Sequence, residues 1–171
     1  MLTGLVLFYV GAVLILNGLW MLGRLHDREV WVINLLVGGV TLLVALKHAL
    51  GPGADAASIK AAALSLLFSF TYLWLAINRL TGADGRGLGW FSLFVAISAV
   101  PVAVDTLQGA VSTWDFWLGL SWAVWGVLWL LYFLLLALQK PVARLTAGVA
   151  IASGVLTGWL PGYLLLTGAM A

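Results

Sequence analysis

The sequence contains no cysteine, only two histidines, and 8% charged residues in a chain of 171. The missing thiols exclude disulfides, thiol catalysis and thiolate metal sites. The shortage of charge excludes an ordinary water-facing surface, since a soluble domain carries about 25% charged residues. A net charge of +2 is too small and too scattered for a nucleic-acid-binding face. His26 and His48 are solitary and lie near loops, without metal-ligand spacing. No Gly-rich phosphate loop precedes a Lys-Ser/Thr pair, and no Ser sits in a nucleophile elbow. No catalytic residue, metal or cofactor is therefore expected, and the chain is not expected to be an enzyme. The N-terminus also lacks a basic region ahead of its apolar run, so a cleavable signal peptide is not expected.

What the chain does have is 64% hydrophobic residues and a mean hydropathy of +1.13. A hydrocarbon core about 30 Å thick takes roughly 20 apolar residues of helix. Six such runs are present, at about 2–22, 30–50, 60–80, 89–107, 116–139 and 144–168. The fold class expected is all-α, a polytopic bundle of six transmembrane helices in a single domain over 1–171. The charges and turn formers collect in the breaks, none of which has room for a domain outside the bilayer. Arg24, Arg28, Arg79, Arg86, Lys140 and Arg144 flank the first, third and fifth loops, against Lys47 and Lys60 at the second. The positive-inside rule then places the odd loops in the cytoplasm and both termini outside. Two sets of three helices would run in opposite directions, an arrangement compatible with a 3+3 inverted repeat.

The helix centres hold no ionisable residue, which argues against ion rings, proton relays and voltage sensing. Their polar residues are neutral, and include Asn17, Asn34, Ser69, Thr71, Asn78, Ser153 and Thr157. Such groups either join helices by hydrogen bonds or line a path for a neutral polar solute. Ten Trp are present. Trp20, Trp31, Trp90, Trp114 and Trp117 lie near span ends, as interfacial anchors do. Leu118, Trp122, Trp125, Trp129 and Tyr132 share one face of the fifth helix, and Phe70 and Trp74 share a face of the third. These stripes are either packing or a slot of flat ring faces that admits planar neutral molecules. Gly4, Gly11 and Gly18 mark one seam, and Ala150, Gly154, Gly158 and Gly162 another, both suited to close helix approach within or between protomers. Pro101 and Pro161 fall inside spans, where each frees a carbonyl.

Six segments together resemble the amide/urea channel family (AmiS/UreI). They are Gly4–Gly11 (GLVLFYVG), Ile33–Gly39 (INLLVGG), Leu66–Trp74 (LLFSFTYLW), Trp90–Val95 (WFSLFV), Trp125–Trp129 (WGVLW) and Leu156–Pro161 (LTGWLP). The resemblance places one motif in each helix, in order, over nearly the whole chain. It implies six helices with both termini outside, and a homo-hexamer whose protomers each hold a pore. It implies a pore wall of Leu7, Val10, Leu14, Phe70, Trp74, Trp122, Trp125, Leu128 and Trp129, with Asn17, Asn34 and Ser153 as candidates for a polar path. Acid-gated urea channels of the family carry a longer outer loop rich in His and carboxylates, and a Glu where this chain has Ser153. Here that loop, roughly 51–58, has one Asp, with His48 nearby. Gly87–Phe91 (GLGWF) and Gln139–Ala143 (QKPVA) resemble the amidase-linked branch, which implies short-chain aliphatic amides such as acetamide. The expected function is passive passage of small neutral amides, urea included, across the bacterial inner membrane without acid gating. A cytoplasmic amidase or urease would consume the solute. The alternatives are a urea-dedicated channel and a scaffold that transports nothing.

Overall fold

The structure, a computed structural model, describes residues 1–170. Helix α1 spans Leu2–Met21, α2 Asp27–Leu50, α3 Ala56–Thr81 and α4 Arg86–Gln108. Helix α5, Thr113–Tyr132, runs on into a π-helical turn, Phe133–Ala137. The sixth span is α6, Ala143–Ser153, then a π-helical segment, Gly154–Trp159, then α7, Leu160–Leu166. All six spans are long and apolar enough to cross a membrane.

Helices α2 to α5 each begin about three or four residues before the apolar runs do, because the first turn of each is polar. Asp55 and Ser58 form a capping box at α3, and Ser112 and Asp115 form another at α5. The His26 ring accepts from the Arg28 amide at 3.3 Å, which brings Asp27 and Glu29 into the first turn of α2. Each arrangement satisfies amides that the helix itself leaves open.

The helices form a closed ring in chain order, each packing on its neighbours, with the sixth span returning to α1. The packing alternates. α2 packs closely on α3, α4 on α5, and the sixth span on α1, while α1–α2, α3–α4 and α5–α6 touch more sparsely. The close pairs are those that meet at the end bearing the termini, called here the terminal face. This alternation corrects the 3+3 inverted repeat. Under that symmetry α5 would pack on α6 as α2 packs on α3, and it does not. The repeating unit is a helix pair, present three times.

Small residues set the close pairs. A Cβ on Gly38 would lie 2.7 Å from Leu73, and one on Gly119 would lie 2.6 Å from Leu107. The glycine seams of the first and last spans face each other within one protomer, with Gly158 against Gly11 and Gly162 against Phe8. Without a hydrophobic drive between helices in lipid, such close backbone approach supplies the dispersion contact that holds them.

The sparser seams use polar links. Asn17 and Asn34 exchange side-chain hydrogen bonds at 3.0 and 2.6 Å, tying α1 to α2, and Asn34 also donates to the Val30 carbonyl at 2.8 Å. Both amides are buried. Asn34→Leu strands the Asn17 amide and should cost about 1–3 kcal/mol. The double Leu variant should be less destabilised than the sum of the single changes, because the pair is lost as a unit. Thermal unfolding of the four proteins in detergent checks this, and additive losses would refute the coupling.

Pro161 has a specific compensation. In a π-helical register the Leu156 carbonyl would look to residue 161, whose nitrogen carries no hydrogen. The Trp117 indole N–H donates to that carbonyl instead, at 2.9 Å. Trp117 is thus more than an interfacial anchor, since it seals a backbone break.

Candidate solute path

Four cavities follow the axis of the ring. The first, about 240 Å³, opens at the terminal face, where α1, α3 and α5 begin and α2 ends. Leu7, Val10, Phe68, Trp122 and Trp125 line it. The second, about 10 Å³, lies among Leu14, Phe68, Tyr72, Trp125, Leu128 and Trp129. The third, also about 10 Å³, is bounded by Asn17, Thr71, Tyr72, Leu88, Ser92 and Tyr132. The fourth, about 60 Å³, reaches the opposite face at Trp20, Asn78, Arg79 and Gly85. Consecutive cavities share walls: Phe68 and Trp125, then Tyr72 and Tyr132, then Leu75 and Leu136. The result is a wide vestibule, a middle with room for about one water at a time, and a smaller inner chamber.

The aromatic rings are held by their own contacts. Phe68 meets Trp122, Trp125 and Trp129 edge to face, at centroid distances of 5.8, 4.9 and 4.7 Å. Trp125 donates its indole N–H to Thr157 at 2.7 Å, and Thr157 in turn donates to the Ser153 carbonyl at 2.6 Å. Trp129 donates to Thr71 at 3.1 Å, and Thr71 to the Leu67 carbonyl at 2.7 Å. Both indole N–H groups are therefore spent on the protein. What these rings can offer a solute is their π face, which attracts N–H groups. The phenol oxygens of Tyr72 and Tyr132 are in the opposite condition: they are buried and have no hydrogen-bond partner. Buried polar atoms rarely stay unpaired, and these two bound both narrow cavities.

Of the residues expected on the pore wall, Leu7, Val10, Leu14, Trp122, Trp125, Leu128 and Trp129 are brought together on this axis. Phe70 and Trp74 are not, and that expectation is corrected. They are 45% and 39% exposed on the outside of the ring, packed against Phe91 of α4. The reason is helical phase. Phe68, Thr71, Tyr72 and Leu75 form the inner face of α3, and Phe70 lies two residues, about 200°, away from Phe68. Phe68 and Tyr72 are the residues that sequence reasoning missed. The neutral polar pair Thr71 and Asn78, seven apart, marks the inner face and was a usable signal. Among the candidates for a polar path, Asn17 borders the third cavity and Asn34 pairs with it from behind. Ser153 is buried with an unpaired hydroxyl and lines none of the four cavities.

At the opposite face, Asp27 accepts from the Trp20 indole at 2.5 Å, and the Arg79 guanidinium sits 5.3 Å over the Trp20 ring. Arg79 also lies 3.9 Å from Asp27. This clamp borders the inner chamber and holds the α1–α2 turn to the end of α3.

The signature of AmiS/UreI family transporters matches residues 2–169. The chain belongs to this family. It is 45% identical to a Mycolicibacterium smegmatis protein named for the transport of amidate substrates, over 96% of this chain and 76% of that one. It is 38% identical to the acid-activated urea channel of Helicobacter pylori, over 95% and 96% of the two chains. The crystal structure of the H. pylori urea channel superposes with a TM-score of 0.86, covering all of both chains at 38% identity. A cryo-EM structure of that channel in a closed state gives the same score, over 99% of this chain and all of that one. The protein is thus an all-α, six-helix, multi-pass membrane protein of an amide and urea transporter family, and not an enzyme.

Proposed function

We propose that residues 1–171 form one transmembrane channel domain that passes short-chain aliphatic amides such as acetamide, and urea, down their gradients. The observation that carries this reading is the uncharged, aromatic-walled middle of the axis, with two unpartnered tyrosine hydroxyls at its narrowest stretch. A planar amide can exchange hydrogen bonds with Tyr72 and Tyr132 while its N–H groups meet the faces of Trp125 and Trp129. Acetate or ammonium would have to shed its hydration with no counter-charge along the middle of the path, which is prohibitive. The proposed wall is Leu7, Val10, Leu14, Phe68, Tyr72, Trp122, Trp125, Leu128 and Trp129, with Phe70 and Trp74 removed. No coupling ion is needed, since no carboxylate lines the middle.

The proposal extends to the setting. The excess of Lys and Arg at the odd loops supports placing the terminal face, and both termini, outside the cell. Family resemblance supports a homo-hexamer. The path lies within one ring of helices, so oligomerisation is not required to build it. A cytoplasmic amidase or urease would keep the gradient inward.

The channel is also proposed not to be acid-gated. The alignment with the acid-activated relative runs over 188 residues, more than the 171 of this chain, so that relative carries segments this chain lacks. The connection from α2 to α3 is short, and its one carboxylate, Asp55, is committed to capping α3. The hydrogen bond from the Ser58 amide, at 2.8 Å, holds the Asp55 carboxyl below its ordinary value, which is about 3.9. A depressed carboxylate contributes stability above its unfolded pKa and loses it as pH falls through the folded value. That window lies below about pH 4. Uptake of acetamide and urea into proteoliposomes should therefore not rise between pH 7 and pH 5. A steep rise on acidification would refute the ungated reading, and failure of both solutes to permeate would refute the channel.

A further inference from the structure

The vestibule at the terminal face is far larger than conduction of urea needs. It has about 240 Å³ against about 10 Å³ for each of the two cavities that follow it. Its wall is chemically uneven. Val6, Val44, Leu64 and Leu118 give it an apolar side, continuous with the aromatic floor at Phe68 and Trp122. Its polar side chains are Thr3, His48 and Ser65, and no charged carboxylate or ammonium lines it. The Ser65 hydroxyl already donates to the Ala61 carbonyl at 2.9 Å, which leaves it only lone pairs to offer. His48 is half-buried, and its ring forms no hydrogen bond to the described residues. A neutral imidazole offers one donor and one acceptor.

We propose that this vestibule is a binding site for primary aliphatic amides, with His48 engaging the amide head and the apolar wall taking the alkyl tail. The ligand that suits it has one compact head that both donates and accepts, and an apolar remainder. A primary aliphatic amide has both. Urea is polar at both ends and leaves the apolar wall without a partner. A carboxylate has no donor to give the ring's acceptor nitrogen. The middle of the path then selects on cross-section, because each narrow cavity admits about one small group, and the vestibule selects on length. This assignment rests on the channel reading above.

The test measures half-saturation of uptake for acetamide, propionamide, butyramide and urea, using the full-length protein in proteoliposomes. Each added methylene should lower half-saturation by about threefold to fourfold, as its burial against the wall predicts. Ala61 lines the vestibule near its mouth, so Ala61→Phe fills it and should flatten this series. His48→Leu should raise half-saturation for all three aliphatic amides about fivefold, the effect of one hydrogen bond, and His48→Gln should restore most of it. Equal half-saturation across the three amides, or a series that survives Ala61→Phe, overturns the assignment while leaving the channel standing. If no amide permeates at all, both fall.

Discussion

Gly158→Leu should yield no folded protein, whereas Gly148→Leu, on the same span, should fold as the parent does. A Cβ at position 158 would lie 2.5 Å from the Cα and 2.6 Å from the amide nitrogen of Gly11. These are backbone atoms in the middle of α1, and no rotamer change relieves them. The longer Leu side chain forces α1 and the sixth span apart. Overpacking a well-filled site costs about 1–3 kcal/mol and more when backbone must move. The same displacement removes Leu7 and Val10 from the axis, since both sit on α1. A Cβ at Gly148 meets nothing within 4 Å. There the exchange trades a poor helix former for a good one, worth up to about 1 kcal/mol. Size-exclusion profiles and thermal midpoints in detergent check the pair. Equal behaviour of the two variants would mean that the α1 seam is looser than described.

Trp129→Ala should change what passes. The indole closes the second cavity, meets Phe68 at 4.7 Å and holds Thr71 through its N–H. Removing a buried Trp costs about 3–5 kcal/mol of stability, so the variant is read only where assembly survives. In that protein the narrow stretch widens, and butyramide permeation should rise relative to urea by about tenfold or more, on the scale of a lost steric contact. Trp129→Phe keeps a ring and gives up only the bond to Thr71. It should stay close to the parent in selectivity, since the face rather than the N–H meets the solute. The same reasoning applies to Trp125, whose N–H is spent on Thr157. If folded Trp129→Ala conducts urea and butyramide in the parental ratio, the aromatic slot is not the filter.

Six spans are legible in the sequence because lipid imposes a length of apolar helix that nothing else in a small chain would need. Their starts are less legible, since the capping turns at His26, Asp55 and Ser112 are polar and read as loop. The aromatic face of α5 is legible for a different reason: Trp122, Trp125 and Trp129 stand on one face with Ser121 beside them, so a single stripe is available to turn inward. On α3 two aromatic faces compete, Phe68 with Tyr72 and Phe70 with Trp74. In water, hydrophobicity would choose between them. In lipid the outer face is as apolar as the inner one, so it does not. Only the polar companions Thr71 and Asn78 break the tie. The threefold repeat of helix pairs is not legible either, because it is written in side-chain size at contacts such as Gly38 on Leu73 and Gly119 on Leu107, far apart in the chain. The partnership of Trp117 with the Leu156 carbonyl depends on a π-helical register that no periodicity announces.

The central claim is that a neutral amide crosses along this axis and a charged analogue of the same size does not. Stopped-flow uptake of acetamide and acetate into proteoliposomes holding the folded protein tests it directly. The account predicts acetamide uptake well above protein-free liposomes, with acetate at their background. Acetamide at background, or acetate permeating as fast as acetamide, would contradict it.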